Sequence, residues 1–461
     1  MSDALPPPPP AGAPVPNPPQ PPAANLSGPA ALAALRRGEL HGATTLDLRG
    51  CRLDALPPEV LDLAGTLERL DVSGTGLSAL PPGFERLQHL HTFFASQNPF
   101  EVLPAVLGQL PRLDTLGFKS NRLVEVPDAA LSPRLRWLIL TDNRIATLPA
   151  SLTRCLRMQK LMLAGNRLRT LPAGVGRLQR LELLRLSAND FQDEAQALTP
   201  EVLGLPALAW LAHAGNPYNR PREQQALARP DVPSVPWAAL QIGALLGEGA
   251  SGHIHAALWP QEAGAQGDGP GAHAPPRAVA VKLFKGGMTS DGLPDSEMAA
   301  GLIAGEHPHL VGVAGRISGH PDGRQGLVMR RLPAGCRALA GPPSMASCSR
   351  DVYAPGWTLP AARARAITDA VAAALAHLHD RGLGHGDLYA HNTLIDDGDP
   401  DSCRLSDLGA AALLPQDPGR AAALRAMDAR ALDILRAELQ ACVQGGADPA
   451  RPPAHRISNS S

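Results

Sequence analysis

The stretch LRWLILTDNRI, residues 135–145, decides the fold of the first half of this chain. It fits the template L-x-x-L-x-L-x-x-N-x-L. Copies of that template, the first of them degenerate, occur eight times between about residues 43 and 220. The second leucine of the template returns every 22 to 24 residues, except for a last step of 27. A period of this length indicates a solenoid, in which no single coil can bury its own apolar face. The sequence therefore predicts eight stacked coils with one short strand each.

The template also assigns the two faces of each strand. Its leucines point inward, and its asparagine turns the chain, where the side-chain amide can bind backbone groups that the turn leaves unpaired. The positions between the leucines face the concave surface. Several of these are large and apolar, in a chain with only 15 aromatic residues: Phe94, Trp137, Ile139, Met162 and Trp210. This concentration favours a binding patch for a protein or peptide, although scattered exposed apolar residues are also ordinary.

Changes in composition divide the chain into five parts, which fits two domains plus tails for 461 residues. Residues 1–27 are rich in proline and predict a disordered, extended tail that either solubilises the chain or docks in a groove for Pro-rich peptides. Residues 28–220 hold the repeats, and prolines mark a linker at 221–237. A second domain covers 238–445, and residues 446–461 predict a disordered tail.

Charge and cysteine content narrow the partners and compartments to be expected. The formal net charge of −1 gives no reason to expect nucleic acid or an anionic membrane as a partner. The six cysteines form no CxxC pair and no cluster with histidine at metal-binding spacing, so buried thiols are expected rather than disulfides or zinc. The N-terminus lacks the pattern of a secretory signal, and no run of about 18 apolar residues could cross a bilayer. A cytoplasmic protein is therefore expected.

Short motifs follow one another in the second half. The stretch LGEGASGHI at 246–254 is weak by itself, because dinucleotide-binding folds use the same glycines. Here, however, it leads into a Gly-, Ala- and Pro-rich loop at about 260–276, and then into AVAVK at 278–282, which ends on one of only four lysines in the chain. HGDLYAHN at 385–392 and DLG at 407–409 complete the series. Each motif alone could be an ordinary turn or cap, but the whole series in this order is not expected by chance.

In order and spacing these motifs resemble those of the protein-kinase family. HGDLYAHN matches the family's H-R-D-L-x-x-x-N except at Gly386, and its wording resembles a bacterial-type branch that carries leucine-rich repeats on the same chain. The first half resembles the leucine-rich repeat family. Together the resemblances imply a multi-domain chain, in which an α/β leucine-rich repeat solenoid precedes a two-lobed α+β protein-kinase-like fold with a shortened C-terminal lobe. They also imply ATP and Mg²⁺ or Mn²⁺ as cofactors.

The resemblance assigns catalytic roles to three residues. Asp387 would orient the attacking hydroxyl and accept its proton. Lys282 would contact the phosphates of ATP, and Glu297 would hold that lysine from the next helix. Glu306 is the competing partner for the lysine, but it lies just before Pro308 and is therefore expected beyond the helix end.

The metal ion and the nucleotide are assigned in the same way. Asn392 and Asp407 would bind the metal ion. The nucleotide would be contacted from the glycine loop, the lysine strand and the strand and hinge that begin at 327: Gly247, Gly249, Gly252, Ile254, Ala280, Lys282, Met329, Arg330 and Leu332.

The second half departs from the family in three places. Gly386 replaces the arginine that grips an activation-loop phosphate in many kinases, and residues 409–427 contain no Ser, Thr or Tyr to carry one, so switching by phosphorylation of this loop is not expected. No A-P-E motif follows Gly409. A helical pattern appears instead near Leu424, with Asp428 at the family's anchoring acidic position. The chain ends shortly after this helix, so the family's last helices are expected to be absent or shortened.

Three functions remain open. Retention of Lys282, Glu297, Asp387, Asn392 and Asp407 favours an active Ser/Thr-type protein kinase whose repeats recruit a protein partner or substrate, because a pure scaffold has no chemical need for all five. The alternatives are a nucleotide-binding pseudokinase scaffold that assembles partners, and a small-molecule kinase, which a shortened large lobe would suit.

Overall fold

The structure, a computed structural model, describes residues 26–249, 251–260 and 276–443. The proline-rich tail, the loop at about 260–276 and the C-terminal tail, all predicted from the sequence, lie almost entirely outside these residues. Within the described part of the chain, no helix is both long enough and apolar enough to cross a membrane. All six cysteines are free, and five of them are buried.

The first half folds as the predicted solenoid of eight coils. Its strands form one parallel sheet in chain order: β1 (Thr45–Asp47), β2 (Arg69–Asp71), β3 (Thr92–Phe94), β4 (Thr115–Gly117), β5 (Trp137–Ile139), β6 (Lys160–Met162), β7 (Leu183–Arg185) and β8 (Trp210–Ala212). The return segments of six coils form 3₁₀ helices: Pro58–Leu63, Phe84–Arg86, Ala105–Gln109, Asp128–Ala130, Ala150–Arg154 and Val175–Arg177. Four α-helices complete this half: α1 (Gly28–Arg36), α2 (Glu194–Ala197), α3 (Pro200–Leu203) and α4 (Arg220–Leu227).

The template residues play the parts that the sequence predicts. The central residue of each strand, a leucine in all but β3, is buried in the solenoid, as Leu138 and Leu161 are at 0% exposure. The amide of Asn143 donates to the backbone oxygens of Phe118 (2.9 Å) and Leu140 (3.0 Å) and accepts from the backbone N–H of Leu123 at 3.0 Å. Each such asparagine therefore joins neighbouring coils by satisfying backbone groups that would otherwise be buried without partners.

The second half has two lobes. The N-terminal lobe is a six-stranded sheet in the order β10-β11-β12-β14-β13-β9, with a single helix. Its elements are β9 (Ser234–Pro236), the 3₁₀ turn Trp237–Ala239, β10 (Gln241–Glu248), β11 (Gly252–Trp259), β12 (Arg277–Phe284), α5 (Pro294–Ala304), β13 (Val313–Ser318) and β14 (Gly326–Arg330).

The C-terminal lobe is built on two long helices and short strands. Its elements are β15 (Cys336–Ala338), α6 (Ala361–Asp380), β16 (Leu383–Gly384), β17 (Thr393–Asp396), β18 (Asp399–Leu405), β19 (Ala412–Leu413) and α7 (Pro418–Ala441). Among the described residues, which end at 443, no helix follows α7.

The segment predicted as a linker is structured. The helix α4 begins at Arg220, inside the predicted boundary, and the strand β9 pairs in parallel with β13 of the N-terminal lobe. The prolines that suggested a loop are compatible with this strand, because β9 lies at the edge of the sheet, where a missing N–H is tolerated. The linker prediction is therefore wrong for these stretches.

The two halves share their apolar cores. In one cluster, Leu424 and Met427 of α7 lie with Leu208 of the solenoid. In a second cluster, Trp210 of β8 lies with Tyr389 of the C-terminal lobe. The concave face of the solenoid is thus covered at its C-terminal end, where every residue of β7 and β8 is buried.

Candidate active site

A cavity of about 550 Å³ opens between the two lobes of the second half. The residues that the sequence assigns to nucleotide, lysine partner and metal line it with one exception: Gly249, Gly252, Ile254, Ala280, Lys282, Glu297, Met329, Arg330, Leu332, Asn392 and Asp407. Gly247 is the exception; it lies on β10, opposite Ile254 of β11. The cavity has the size range and mixed lining expected of a small-molecule site.

Lys282 and Glu297 form an ion pair inside the cavity. Lys282 lies on the central strand β12, between Ile254 of β11 and Leu327 of β14, which fixes its position along the sheet. Glu297 lies in the first turn of α5, and the two side chains are only 11% and 8% exposed. Burial raises the pKa of Glu297, and the ammonium group of Lys282 offsets part of that rise. Glu306, the competitor, lies beyond the end of α5 and pairs with Arg277 at 3.1 Å instead.

Gly249 follows the end of β10, Gly252 begins β11, and both line the cavity. The backbone N–H of Gly249 donates to the oxygen of Gly252 at 2.9 Å. A Cβ at Gly252 would lie 2.5 Å from the backbone oxygen of Leu283, so only glycine lets β11 approach β12 so closely here. The glycine-rich stretch, the strand that carries Lys282 and the helix that carries Glu297 therefore lie together around one cavity.

The stretch HGDLYAHN is held by a buried carboxylate of α7. Asp428 accepts from the backbone N–H groups of His385 and Gly386, each at 3.0 Å. At the far end of the stretch, the amide of Asn392 donates to the backbone oxygen and to Oδ2 of Asp387, both at 2.9 Å. The helix thus supplies the anchoring acidic residue that the sequence places at 428.

Asn392 and Asp407 line the same cavity and offer a donor set that suits a magnesium ion. Because the Asn392 amide nitrogen is turned toward Asp387, its oxygen is left for a cation. Within the part of the chain that the structure describes, no three His, Cys, Asp or Glu residues are arranged to hold a metal ion by themselves. Mg²⁺ is usually bound by one or two carboxylates together with water and phosphate oxygens. The pair therefore fits an ion that binds together with a nucleotide.

Comparison with known families agrees with this geometry. Residues 240–423 match the model for protein tyrosine and serine/threonine kinases, and residues 133–191 match the model for leucine rich repeats. The chain thus carries a protein kinase domain behind leucine-rich repeats.

Individual relatives are similar over a smaller part of the chain. The PH domain leucine-rich repeat-containing protein phosphatases 1 of Mus musculus and Homo sapiens are 34% and 36% identical over 93 residues, or 20% of this chain. The chain covers only 6% and 5% of those two proteins. Among solved structures, the leucine-rich repeat protein LIC12759 of Leptospira interrogans is 25% identical, with a TM-score of 0.28, over 39% of this chain and 62% of that one.

One further charged residue, Arg185, contacts the HGDLYAHN loop, and sequence reasoning missed both it and its second partner, Asp291. Arg185, at the end of β7 in the repeats, pairs with Asp387 and, at 2.9 Å, with Asp291 of the β12–α5 loop. Burial acts to raise the pKa of Asp387, but Arg185, with His391 and His385, more than offsets it, so this pKa lies below its ordinary value. The repeat template could have placed Arg185 on the concave face, but nothing in the sequence indicates what covers that face.

The concave face does not present all five predicted binding residues to solvent. Trp210 is 1% exposed, because it packs on the kinase domain and its indole N–H donates to the backbone oxygen of Leu388 at 2.8 Å. Met162 packs against the same cluster of the C-terminal lobe. The prediction of an open binding residue is therefore wrong for Trp210. Phe94, Trp137 and Ile139 remain half-buried on the uncovered part of the face.

Proposed function

We propose that this protein is an ATP-dependent protein kinase of the Ser/Thr type. The observation that carries the proposal is the formed Lys282–Glu297 pair in a cavity that Asn392 and Asp407 also line. A kinase needs this pair and the metal-binding carboxylate in place at the same time. The ion pair and the carboxylate of Asp407 in one cavity support the proposal, in a chain that has no Ser, Thr or Tyr between residues 409 and 427.

Each side chain has a task in phosphoryl transfer, where catalysis is mainly positioning and electrostatic stabilisation. Lys282, held by Glu297, would bind the ATP phosphates, and Asp407 and Asn392 would hold Mg²⁺. The bound ion would neutralise charge on the phosphates during transfer. Asp387 would orient the acceptor hydroxyl and take its proton, and its attachment to Asn392 fixes its direction.

The repeats would recruit a protein partner or substrate through the uncovered part of the concave face. Phe94, Trp137 and Ile139 support this, since half-buried aromatic and aliphatic side chains on a sheet face are typical of protein interfaces. Cations flank two of them: Arg69 lies over the ring of Phe94, and Lys160 lies 4.8 Å from the centroid of Trp137.

A second candidate is a small-molecule kinase. The surroundings of Asp387 favour this candidate. The repeats cover the loop on the side where Asp387 lies, and its side chain is therefore only 14% exposed. A small acceptor needs less open surface there than a folded protein does. The third reading, a pseudokinase scaffold, would bind nucleotide without transferring phosphate.

The test is transfer of labelled γ-phosphate from Mg-ATP or Mn-ATP by the purified full-length chain, to itself, to generic acceptor proteins and to small hydroxyl compounds. Lys282→Met should lower kcat/KM about 100-fold or more, because it removes a charge that stabilises the transferring phosphoryl group. Lys119→Met, at a lysine of the repeats, is the matched control and should leave the rate unchanged. Asp387→Asn and Asp407→Asn should each abolish transfer above background.

Three outcomes discriminate between the readings. Transfer to serine or threonine supports the proposal. Transfer only to small hydroxyl compounds supports the second candidate. Thermal stabilisation by Mg-ATP without any transfer would overturn both and leave the scaffold.

A further inference from the structure

The repeats place a buried guanidinium against the catalytic carboxylate. Arg185 extends from the last position of β7, and its side chain is only 3% exposed. It donates from Nη2 to Oδ1 of Asp387, from Nη1 to the backbone oxygen of Gly386 at 3.1 Å, and from Nε to Oδ1 of Asp291 at 2.9 Å. One side chain of the solenoid therefore joins the catalytic loop to the loop before α5.

This arrangement fixes the orientation of Asp387. Its Oδ1 accepts from Arg185, and its Oδ2 accepts from Asn392. The guanidinium is a planar, rigid fork that holds its charge at all physiological pH values, so it directs a carboxylate better than a flexible ammonium group can. The carboxylate is thereby held at both oxygens by two donors that come from different domains.

The catalytic loop itself supplies no such cation. Residues 385–392 contain neither lysine nor arginine. Gly386 stands where the family has arginine, and a Cβ on it would lie 2.5 Å from the backbone oxygen of Leu211 in β8. The strand that excludes a side chain at 386 is the neighbour of the strand that delivers Arg185.

The contact around Arg185 has the character of a permanent interface. The ring of Trp210 stacks on that of Tyr389, with centroids 4.2 Å apart and planes 8° apart. The same indole donates to Leu388, and apolar clusters of both domains continue across the boundary. Moving Arg185 away from Asp387 by separating the two domains would expose these apolar surfaces to water. Arg185 is therefore not a residue that leaves the site and returns to it.

We infer that Arg185 is a positioning residue of the phosphotransfer site, and that the repeats thereby complete the active site of the kinase domain. The inference rests on the proposed function, because it assigns to Arg185 the orientation of Asp387 toward the acceptor hydroxyl. It assigns no role in ATP binding, since Arg185 does not line the nucleotide cavity.

The kinetic test compares Arg185→Met with Arg185→Lys in the full-length chain. Arg185→Met should lower kcat about 100-fold, because a small misplacement of a catalytic group costs about that much. The KM for ATP should stay within about twofold, since ATP contacts are left intact. Arg185→Lys keeps the charge and should recover part of kcat, while Arg167→Met, at an exposed arginine of a neighbouring coil, should match the wild type.

A raised kcat in Arg185→Met would mean that Arg185 blocks the site, and an unchanged kcat would mean that it has no role in catalysis; either result overturns the inference.

A second test needs no turnover. Arg185→Met leaves the partly buried carboxylates of Asp291 and Asp387 without their shared cation, which should lower Tm by about 5 °C. Adding Asp387→Asn should restore a large part of that loss, because one of the two repelling carboxylates is gone, and this cycle measures the contact between Arg185 and Asp387 itself. Additive effects in this cycle would show that the contact is not formed and would overturn the inference.

The two tests separate this inference from the proposed function. Absence of phosphate transfer by the wild type would refute the function and the catalytic role of Arg185 together. A wild type that transfers phosphate, with an Arg185→Met variant that transfers equally well, would refute the role of Arg185 alone.

Discussion

Gly386 occupies a position where no side chain can stand. Its φ of +70° lies in the left-handed region, and a Cβ there would be 2.5 Å from the backbone oxygen of Leu211 and 2.9 Å from that of Ala410. The sequence connects this glycine with the missing phosphate acceptor of the activation segment, since an arginine would have nothing to grip. The structure adds a steric reason, because the repeats approach the backbone itself.

Gly386→Ala should destabilise the chain by about 3 kcal/mol or more, since two carbonyl groups must move away from the new methyl group. Gly382→Ala is a matched control, because Gly382 has a φ of +73° and nothing within 4 Å of its Cβ position. That control should cost about 1 kcal/mol, the strain of the left-handed conformation alone. Denaturant unfolding measures both variants, and equal losses would contradict the close approach of the two domains.

At the level of residues, the sequence motifs identified most of the side chains that line the cavity between the lobes, but not the arginine that contacts Asp387. Lys282, Asn392 and Asp407 were found because each belongs to a motif whose spacing reflects local chemistry. Arg185 was missed because it lies 202 residues from Asp387 along the chain, and their contact depends on how two domains pack. Trp210 was placed on the correct face, but its burial could not be known without its neighbour.

Helix α7 connects the HGDLYAHN loop with the solenoid. Asp428 anchors the loop, and on the same helix Leu424 and Met427 enter the apolar core of the repeats. Arg430 donates to the backbone oxygen of Leu208 in the last coil. The sequence predicted this helix and its anchoring aspartate, because an apolar pattern with helical spacing is a local signal. It did not predict that the helix also binds the repeats.

Near its end, α7 carries a carboxyl group that titrates near neutral pH. Burial raises the pKa of Glu438 to about 7, with a further rise from Asp351, and the Tyr353 hydroxyl donates to it at 3.2 Å. In the unfolded chain the pKa is near 4.5. The folded chain therefore holds the proton more tightly, and the resulting stabilisation is present below about pH 4.5 and lost as the pH rises through about 7.

Glu438→Gln should remove this pH dependence, because glutamine stays neutral and can still accept from Tyr353. At pH 8 the variant should be more stable than the wild type by about 3 kcal/mol, and at pH 4.5 the two should be alike. Melting curves between pH 4.5 and 8 measure the difference. Glu101→Gln, at an exposed carboxylate of the repeats, serves as the control. Parallel curves for Glu438→Gln and wild type would contradict the raised pKa.

The sequence predicts two separate domains, and in the structure these two domains pack against each other as one unit. The repeats and the C-terminal lobe share two apolar clusters, and the segment predicted as a linker contributes a helix and a sheet-edge strand. Eight coils could be predicted because each repeats a local pattern. The interface between the domains could not be predicted, because no local residue pattern indicates which surfaces contact each other.

A shared core predicts a single cooperative unfolding transition for the full chain. Calorimetry should give one peak with a ratio of calorimetric to van't Hoff enthalpy of about one. Trp210→Ala should destabilise the chain by about 3–5 kcal/mol, the usual cost of truncating a buried tryptophan. Trp137→Ala, on the same face but half-exposed, should cost distinctly less. Two separate peaks in the wild type would contradict the continuous core.

Because Trp210 and Arg185 lie in the last two coils, the two ends of the repeat array differ in their contacts with the kinase domain. Solenoids gain and lose whole coils, and here such changes are not equivalent at the two ends. Coils added before β1 would lengthen the reach of the array and leave the catalytic centre untouched. Loss of β7 or β8 would remove Arg185 or Trp210, and with them the fit to the kinase domain. We therefore expect array length to vary freely only at the amino-terminal end, and chimaeras to work only when the coils that contact the kinase domain, from Arg136 to the end of β8, are transferred together with it.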